Sequence, residues 1–210
     1  KKDIEELQKI TRDSDIIIVS DEVYEHLVFD GLKHESICRY PELAQRSFVI
    51  GSFGKTFHAT GWKTGFVLAP GNLMAEFRKV HQFVVFAVNT PVQYALAEFL
   101  TDKTNYEDIG KLYQRKRDYF LSLIGDSRFK PVPCRGTYFQ LLDYSAISDE
   151  SEIDFAVRLT KEYKLASIPV SVFYHRKTEN KVLRFCFAKE EKTLVKAAEI
   201  LNRISVQYQI

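Results

Sequence analysis

Apolar residues in the first part of the chain follow two spacings in turn. In segment 4–10 they recur every three positions, as on one face of a helix. Segment 15–20 then forms a short β-branched run that ends at the acidic pair Asp21 and Glu22. Such a run is typical of a parallel strand buried on both faces. The sequence therefore predicts a helix, then a strand with carboxylates at its carboxyl end, where open α/β sheets bind ligands.

The same alternation continues to about residue 125. Two more strands are predicted at 48–50 and 65–69. Three helices are predicted at 73–86 with Asn72 as the N-cap, at 90–100 with Thr90 as the N-cap, and at 106–124, ending at a C′ glycine, Gly125. Strands that alternate with helices indicate an α/β arrangement.

The pattern changes in the second half, where strands and helices no longer alternate regularly. Strands are predicted at 129–132 and 137–142, then a helix at 152–164, short strands near Ala166 and at 182–188, and a last helix from 190 to about Ser205. This order favours a smaller α+β domain. We place the boundary near Asn105, which gives domains 1–105 and 106–210.

Composition narrows the possible functions. The chain has 210 residues, of which 45% are hydrophobic and 28% charged, and a net charge of +2. This balance lacks the basic surplus of a nucleic-acid-binding protein. The longest apolar stretch, 83–88, is far below the ~20 residues of a membrane helix. Three scattered cysteines are typical of reduced thiols in a cytoplasmic protein.

The histidines and the aromatic residues at helical spacing do not indicate a metal or cofactor site. The five histidines show no spacing that suggests a metal site, so we expect none. Several aromatic residues recur at helical spacing and are expected in the core: Phe83, Phe86, Tyr113, Tyr119 and Phe120.

Candidate chemistry centres on Lys55. This lysine follows a predicted strand and has small or apolar neighbours, a setting in which an amine can attack a carbonyl. Ser52 and Lys63 offer a hydroxyl and a cation, which suit a phosphate. Gly54 and Gly61 allow close approach of the backbone. The ordinary interpretation of a loop lysine, a solvated surface charge, stays open.

Asp21 and Arg184 each have two interpretations. Asp21 is either a turn residue or a carboxylate that holds a cationic ligand group, with Tyr24 offering a phenol and Val23 an apolar surface for a ring. Strand alternation puts Arg184 on one face with its second neighbours. A guanidinium there needs an anion, because an unpaired buried charge is very costly. That anion is either a protein carboxylate or a substrate carboxylate.

Two short patterns suggest a different enzyme class. Ser52-x-x-Lys55 and Lys63-Thr64-Gly65 match motifs of penicillin-binding enzymes. Those motifs lie well apart in such enzymes, whereas here they almost touch, and no Ser-Asp-Asn stands between them. We therefore disfavour this interpretation.

Taken in order, the stretches 20–24, 52–55 and 61–65 and the later Arg184 resemble the class I/II aminotransferases of the pyridoxal-phosphate fold type I superfamily. The resemblance covers the whole chain. It is closest to the methionine, glutamine and kynurenine aminotransferases, through stretches 21–26, 53–63 and 184–189.

The resemblance implies a role for each candidate residue. Lys55 would bind pyridoxal 5'-phosphate as a Schiff base and then move the substrate proton. Asp21 would pair with the pyridinium nitrogen. The other implied contacts are Tyr24 to the ring's phenolic oxygen, Val23 to the ring face, Ser52 and Lys63 to the phosphate, and Arg184 to the substrate α-carboxylate. Many relatives have arginine at the position of Lys63; lysine keeps the charge without the bidentate fork.

The resemblance also implies an architecture and partners. The chain looks like the C-terminal portion of the enzyme: the later part of the mostly parallel-sheet large domain and the whole small domain. Its start within a helical pattern at 4–10 agrees with this. The implied activity is transfer of an amino group from an apolar, sulfur-containing or aromatic amino acid to a 2-oxo acid by a homodimer. A carbon–sulfur β-lyase and a non-catalytic fragment are the alternatives.

Overall fold

A computed structural model of the chain describes residues 1–176 and 178–204. The chain divides into two compact units, Lys1–Gly110 and Lys111–Ile210. The domain limits 1–105 and 106–210 stay a prediction.

The first unit contains a small sheet with helices before and after it. Its strands are β1 Ile18–Asp21, β2 Ser47–Ser52 and β3 Gly65–Leu68. Its helices are α1 Lys2–Thr11, α2 Pro41–Ala44, α3 Phe53–Thr56, α4 Gly71–Val84, α5 Thr90–Phe99 and α6 Thr104–Glu107; α7 Ile109–Leu123 begins there and continues into the second unit. Short 3₁₀ turns lie at Ile37–Arg39 and Thr60–Trp62.

The three strands lie in the order β1-β2-β3. β1 pairs in parallel with β2, and Asp21 lies opposite Ile50. β3 runs antiparallel to β2, with Gly65 opposite Ser52. The three strands predicted for this part of the chain are thus confirmed. A core of Ile37, Leu43 and Val49 holds the sheet against α1, whose Ile4 and Leu7 pack on it. The apolar face predicted for segment 4–10 is confirmed at these two positions, whereas Ile10 is 70% exposed.

The apolar run at β1 is less buried than predicted. The strand begins only at Ile18, and the side chains of Ile16, Ile17 and Val19 are 50%, 54% and 64% exposed. The physical reason is that β1 is an edge strand among the described residues, with β2 on one side only. A run this apolar is typical of a strand with neighbours on both sides.

Two predicted helix starts are wrong by one or two residues. Helix α4 begins at Gly71 with Pro70 as its N-cap, so Asn72 lies inside the first turn. Helix α5 takes Asn89 as its N-cap, and the Asn89 side chain accepts a hydrogen bond from the N–H of Val92. Asparagine caps as well as threonine does, so the sequence alone does not decide between neighbours at 89 and 90.

The long helix predicted at 106–124 is two helices. Helix α6 ends at Glu107 and α7 begins at Ile109, with Asp108 in a non-helical conformation between them. Helix α7 ends before Gly125, as predicted, but Gly125 does not adopt the left-handed conformation of a C′ glycine.

Two aromatic residues expected in the core lie on the surface. Phe83 is 85% exposed and Phe86 is 83% exposed. Val80 and Val84 on the same turn of α4 are also exposed. Helical spacing marks an apolar face but does not say what covers it. Of the others, Tyr113 and Phe120 are buried as predicted, and Tyr119 is half-buried.

The second unit combines a four-stranded antiparallel sheet with helices. Its strands, β4 Lys130–Pro131, β5 Phe139–Asp143, β6 Ile168–Pro169 and β7 Val182–Cys186, lie in the order β4-β5-β7-β6. Its later helices are α8 Glu152–Tyr163 and α9 Glu191–Arg203, with a 3₁₀ turn at Val170–Phe173. The strand predicted near Ala166 lies two residues later. The predicted end of the last helix near Ser205 falls outside the described residues.

Burial alternates along the two central strands of this sheet. Leu142 and Leu183 are fully buried, and so are Gln140 and Phe185 on the same face. The opposite face carries the half-buried side chains of the intervening positions. Arg184 belongs to that second face, as the strand period of two predicts.

Candidate functional site

The predicted site residues of the first unit gather at one edge of its sheet. Asp21 is the last residue of β1, and Ser52 is the last residue of β2. Because these strands are parallel and adjacent, both carboxyl ends lie at the same edge. Lys63 comes two residues before β3, which starts opposite Ser52. This edge therefore collects one carboxylate, one hydroxyl and one cation.

Lys55 is held next to Ser52 by local backbone geometry. Ser52 is the N-cap of the short helix α3, and its Oγ accepts a hydrogen bond from the N–H of Lys55 at 3.2 Å. The Ser52 hydroxyl can still donate its own proton to an anion. Lys55 is half-buried, and its ammonium group has neither a hydrogen bond nor an ion pair within the described part of the chain. The amine is thus free for a ligand.

Lys63 adopts a left-handed conformation, with φ 53° and ψ 40°. It is exposed and forms no ion pair within the described ranges 1–176 and 178–204. Its unusual backbone conformation ends the 3₁₀ turn Thr60–Trp62 and turns the chain into β3. Non-glycine residues held in this conformation are uncommon and occur often at binding sites.

Asp21 shows the geometry expected of a turn residue. Its Oδ1 accepts a hydrogen bond from the N–H of Val23 at 3.3 Å. The side chain is nevertheless exposed and has no cationic partner among the described residues. The turn contact uses one oxygen and leaves the other available. Val23 and Tyr24 follow within the same turn and are half-buried.

Glu22, for which the sequence indicates no role apart from that of its neighbour Asp21, is the organising carboxylate of this turn. It is 7% exposed and accepts hydrogen bonds from Ser20 Oγ at 3.0 Å, from His34 Nε2 at 2.8 Å and from the N–H of Ile37 at 3.0 Å. Burial raises the pKa of Glu22, but the hydrogen bonds from His34 and Ile37 outweigh it, and the net shift is downward. No local pattern marks this role, because two of the partners lie 12 and 15 residues away.

Glycines keep the same edge of the sheet compact. A Cβ at Gly65 would lie 2.5 Å from the carbonyl oxygen of Gly51. A Cβ at Gly54 would lie 3.1 Å from the carbonyl oxygen of Ala59. The distance at Gly65 leaves no room for a side chain, and the distance at Gly54 is tighter than an ordinary van der Waals contact. Gly65 therefore keeps β3 close to β2, and Gly54 keeps the turn that carries Lys55 close to Ala59.

Arg184 is the predicted site residue of the second unit. Its guanidinium carbon lies 4.2 Å from the ring centre of Phe139 and 4.9 Å from that of Phe173. Its Nε is buried and has no hydrogen-bond partner, and no described carboxylate forms an ion pair with it. Of the two anions considered above, a protein carboxylate is therefore not found in the part of the chain that the structure describes.

A cavity of about 380 Å³ borders Arg184 within the second unit. Phe139 and Cys186 line it beside Arg184, and Lys164 and Lys189 add two further cations. A concave site with apolar walls and a few charged groups is the usual form of a small-molecule site. The surroundings of Arg184 thus suit a small organic anion.

Two kinds of feature are absent from the described residues. No helix within 1–176 and 178–204 is both long and apolar enough to cross a membrane. No group of histidine, cysteine, aspartate and glutamate residues in those ranges is arranged to hold a metal ion.

Comparison with known proteins places these residues in a family. The family model for aminotransferase class I and II matches residues 1–201. The chain is 45% identical over 191 residues to methionine aminotransferase of Escherichia coli, an alignment that covers 90% of this chain and 50% of that protein. It is 34% identical over 229 residues to human kynurenine–oxoglutarate transaminase 1, covering 99% of this chain and 54% of that protein.

Solved structures give the same result. An Escherichia coli protein with a methionine aminotransferase function matches with a TM-score of 0.92 and 43% identity over 96% of this chain and 54% of its own. An aromatic aminotransferase from Pyrococcus horikoshii matches with a TM-score of 0.85 and 27% identity over 97% of this chain and 55% of its own.

The chain thus spans about half the length of the relatives it matches. The predicted fold class, part of a fold type I α/β structure, is confirmed. The chain belongs to the class I and II aminotransferases.

Proposed function

We propose that this chain supplies the cofactor-binding and carboxylate-binding residues of a pyridoxal-phosphate-dependent transaminase. The observation that carries the proposal is the gathering of Asp21, Ser52 and Lys55 at the carboxyl edge of β1 and β2, with Lys63 leading into β3. Ligands of open α/β sheets bind at this edge. Membership of the aminotransferase family supports the same function.

The residues present fit pyridoxal 5'-phosphate by their chemistry. The cofactor carries an aldehyde, a basic ring nitrogen and a phosphate, which call for an amine, a carboxylate and anion-binding donors. Lys55, Asp21, Ser52 and Lys63 provide these groups, and the Lys55 amine has no other partner within the described residues. When bound, the cofactor supplies a carbonyl that condenses with amines and a ring that withdraws electrons from the substrate Cα.

Each residue has a defined task in this proposal. Lys55 Nζ holds the cofactor before substrate arrives and then carries a proton to and from the substrate Cα. The Asp21 carboxylate keeps a proton on the ring nitrogen, because a nearby negative charge favours the protonated form. Tyr24 donates to the phenolic oxygen, and Val23 packs on the ring face. Ser52 and Lys63 hold the phosphate. 

Arg184 binds the α-carboxylate of the substrate in the proposed reaction. A guanidinium matches a carboxylate through two parallel hydrogen bonds. Its two aromatic neighbours, Phe139 and Phe173, restrict the side chain, which reduces the entropy lost on binding. The buried Nε without a partner is a donor that this anion satisfies.

The proposed substrates are an apolar, sulfur-containing or aromatic amino acid as donor and a 2-oxo acid as acceptor. The names of the relatives support this class, since they include methionine and kynurenine transaminases. The exposed Phe173 beside Arg184 adds apolar surface next to the carboxylate site. 

We also propose a homodimer and a cytoplasmic location for the working enzyme. Support for the dimer is the exposed apolar surface at the end of α4, formed by Val80, Phe83 and Val84 of the helix and by Phe86 just beyond it. Clusters of exposed apolar side chains mark surfaces that another chain or segment covers. Support for the location is the presence of three free cysteines, which suit a reducing compartment.

The test uses this chain joined behind the N-terminal half of Escherichia coli methionine aminotransferase, whose second half it resembles. With pyridoxal 5'-phosphate added, we expect an imine absorbance band and transfer of the methionine amino group to a 2-oxo acid. The Lys55→Ala variant should lose both. The matched control is Lys33→Ala, which removes an exposed lysine that is not one of the candidate site residues and should keep both.

A chimera that folds but gives no imine band would overturn the proposal. Release of pyruvate from cystathionine without any acceptor acid would replace transamination by the carbon–sulfur lyase reaction. The 210-residue chain alone should give no turnover, and measurable turnover by it would show that the residues described here suffice.

A further inference from the structure

Glu152 is a fully buried carboxylate at the start of α8, with 0% of its surface exposed. Its Oε2 accepts a hydrogen bond from the N–H of Ser171 at 2.6 Å. Its Oε1 accepts from the N–H of Asn180 at 2.9 Å and from the N–H of Val182 at 3.2 Å. Three backbone donors from outside its own helix therefore meet at one side chain.

Two of these donors belong to elements that border Arg184. Ser171 lies in the 3₁₀ turn Val170–Phe173, and Val182 is the first residue of β7. Phe173 ends that turn and packs on the guanidinium, while Arg184 is the third residue of β7. One carboxylate thus fixes both the ring and the strand that carries the arginine.

We infer that Glu152 is a positioning residue that holds Phe173 on the Arg184 guanidinium and so fixes the arginine for a substrate carboxylate. The second half of this inference rests on the function proposed above. Glu152 itself touches neither Arg184 nor a substrate in this scheme and acts only through the backbone at 171 and 182.

The chemistry requires a carboxylate rather than an amide. Both oxygens of Glu152 accept hydrogen bonds from N–H groups. In Glu152→Gln one oxygen becomes an NH₂ group, which cannot accept, so an N–H of either Ser171 or Val182 faces a donor. A buried donor without an acceptor is strongly unfavourable, and one of the two elements has to move.

The direct test is the NMR signal of the Arg184 Nε–H in the 210-residue chain, assigned by its loss in Arg184→Lys. A proton held near two aromatic faces resonates upfield of its usual position. We expect Glu152→Gln to move this signal downfield. The matched control, Glu150→Gln, changes a nearby glutamate whose side chain binds Arg158 and Ser148 instead, and it should leave the signal in place.

A double variant separates positioning from general loss of structure. Phe173→Leu removes the ring and should move the Arg184 signal downfield by itself. Adding Glu152→Gln to Phe173→Leu should then move it little further, whereas a general loosening would move it again. An Arg184 signal that is unchanged in either single variant overturns the inference.

One measurement needs no variant. The N–H groups of Ser171 and Val182 should exchange slowly with solvent in the unaltered chain, because a buried acceptor holds both. Rapid exchange at either of them contradicts the role given to Glu152, even where Glu152→Gln fails to fold.

The functional half is measured in the chimera with the Escherichia coli N-terminal half. Glu152→Gln should raise KM for the 2-oxo acid by roughly tenfold at little change in kcat, since small misplacement of a substrate-positioning group costs up to about 100-fold. If Arg184→Gln leaves KM unchanged, the proposed function of Arg184 fails while the NMR result still decides the role of Glu152. If only Glu152→Gln leaves KM unchanged, the positioning role in binding is wrong.

Discussion

Ser52 and Gly65 lie directly opposite each other in the antiparallel pair of β2 and β3. Gly65 has no room for a side chain, since a Cβ would lie 2.5 Å from the carbonyl oxygen of Gly51. We expect Gly65→Ala to push the two strands apart and to lower the free energy of unfolding by about 1–3 kcal/mol, the usual cost of overpacking. Urea denaturation of the chain measures this.

Gly61→Ala is the matched control for that substitution. A Cβ at Gly61 meets nothing within 4 Å, and Gly61 precedes Lys63 in the same segment. The free energy of unfolding of Gly61→Ala should stay within about 0.5 kcal/mol of that of the unaltered chain, as for most surface substitutions. Equal effects of the two variants would show that the contact with Gly51 does not restrict position 65.

The lowered pKa of Glu22 predicts that the folded chain loses stability at acid pH. Its pKa in the folded chain is lowered, so its contribution to stability is present above its unfolded pKa and is lost as the pH falls through the lower folded pKa. The unaltered chain should therefore lose stability below about pH 4.3, the ordinary glutamate pKa. Glu22→Gln should be less stable at neutral pH and should show a flatter decline in acid.

The control for this titration is Glu42→Gln, which alters an exposed glutamate in the first turn of α2. Chemical denaturation at a series of pH values gives both curves. If the free energy of unfolding falls with the same slope in acid for Glu22→Gln and for the unaltered chain, Glu22 is not the cause of the decline.

The raised pKa of Tyr144 predicts that the folded chain loses stability at alkaline pH, in contrast to the loss in acid expected from Glu22. The side chain is fully buried, and its hydroxyl donates to the carbonyl oxygen of Glu150 at 2.9 Å. Burial raises the pKa of Tyr144, and the negative charges of Glu152 and Glu179 raise it further. The neutral phenol therefore contributes stability that is present below its unfolded pKa of about 10 and is lost as the pH rises above it.

Tyr144→Phe tests that relationship. The variant should lose about 1 kcal/mol at neutral pH with the hydrogen bond, and it should decline less steeply above pH 10 than the unaltered chain. Tyr94→Phe, at a residue 75% exposed, is the control and should change neither quantity. A variant at 144 that declines as steeply as the unaltered chain would contradict the prediction.

Substitutions of Lys63 are expected to change how tightly the chimera binds its cofactor. Lys63→Arg adds a bidentate fork for a phosphate and should tighten binding of pyridoxal 5'-phosphate several-fold. Lys63→Gln removes the charge and should weaken it by about 10- to 100-fold, since a hydrogen bond to a charged group contributes about 1.5–3 kcal/mol. Absorbance titration gives both dissociation constants, and equal values for all three proteins would exclude Lys63 from the phosphate site.

The sequence predicts the strands around the site because their signals are local. A continuous apolar run followed by Asp21 identifies the end of β1, and alternation alone puts Arg184 on the open face of its sheet. The expectation that Asp21 and Arg184 serve the same site as Lys55 rests on the family resemblance, because spacing along the chain does not measure distance in space.

Burial and long-range contacts could not be predicted from local sequence patterns. Phe83 has the spacing of a core residue but is exposed, because the described residues contain nothing that covers this face of α4. Glu22 and Glu152 look like ordinary surface carboxylates in the sequence. Their roles depend on backbone N–H groups up to 30 residues away, which only the folded chain brings to them.

Strand alternation places Arg184 between Leu183 and Phe185, both of which point into the core. A shift of β7 by one residue against β5 would exchange the two faces and turn the guanidinium toward the apolar interior. Insertions or deletions between β6 and β7 are therefore tolerated only when the strand keeps its pairing of Arg184 with Leu141. The register of β7 against β5, rather than the length of the connection, is therefore under constraint for the same reason as the arginine itself.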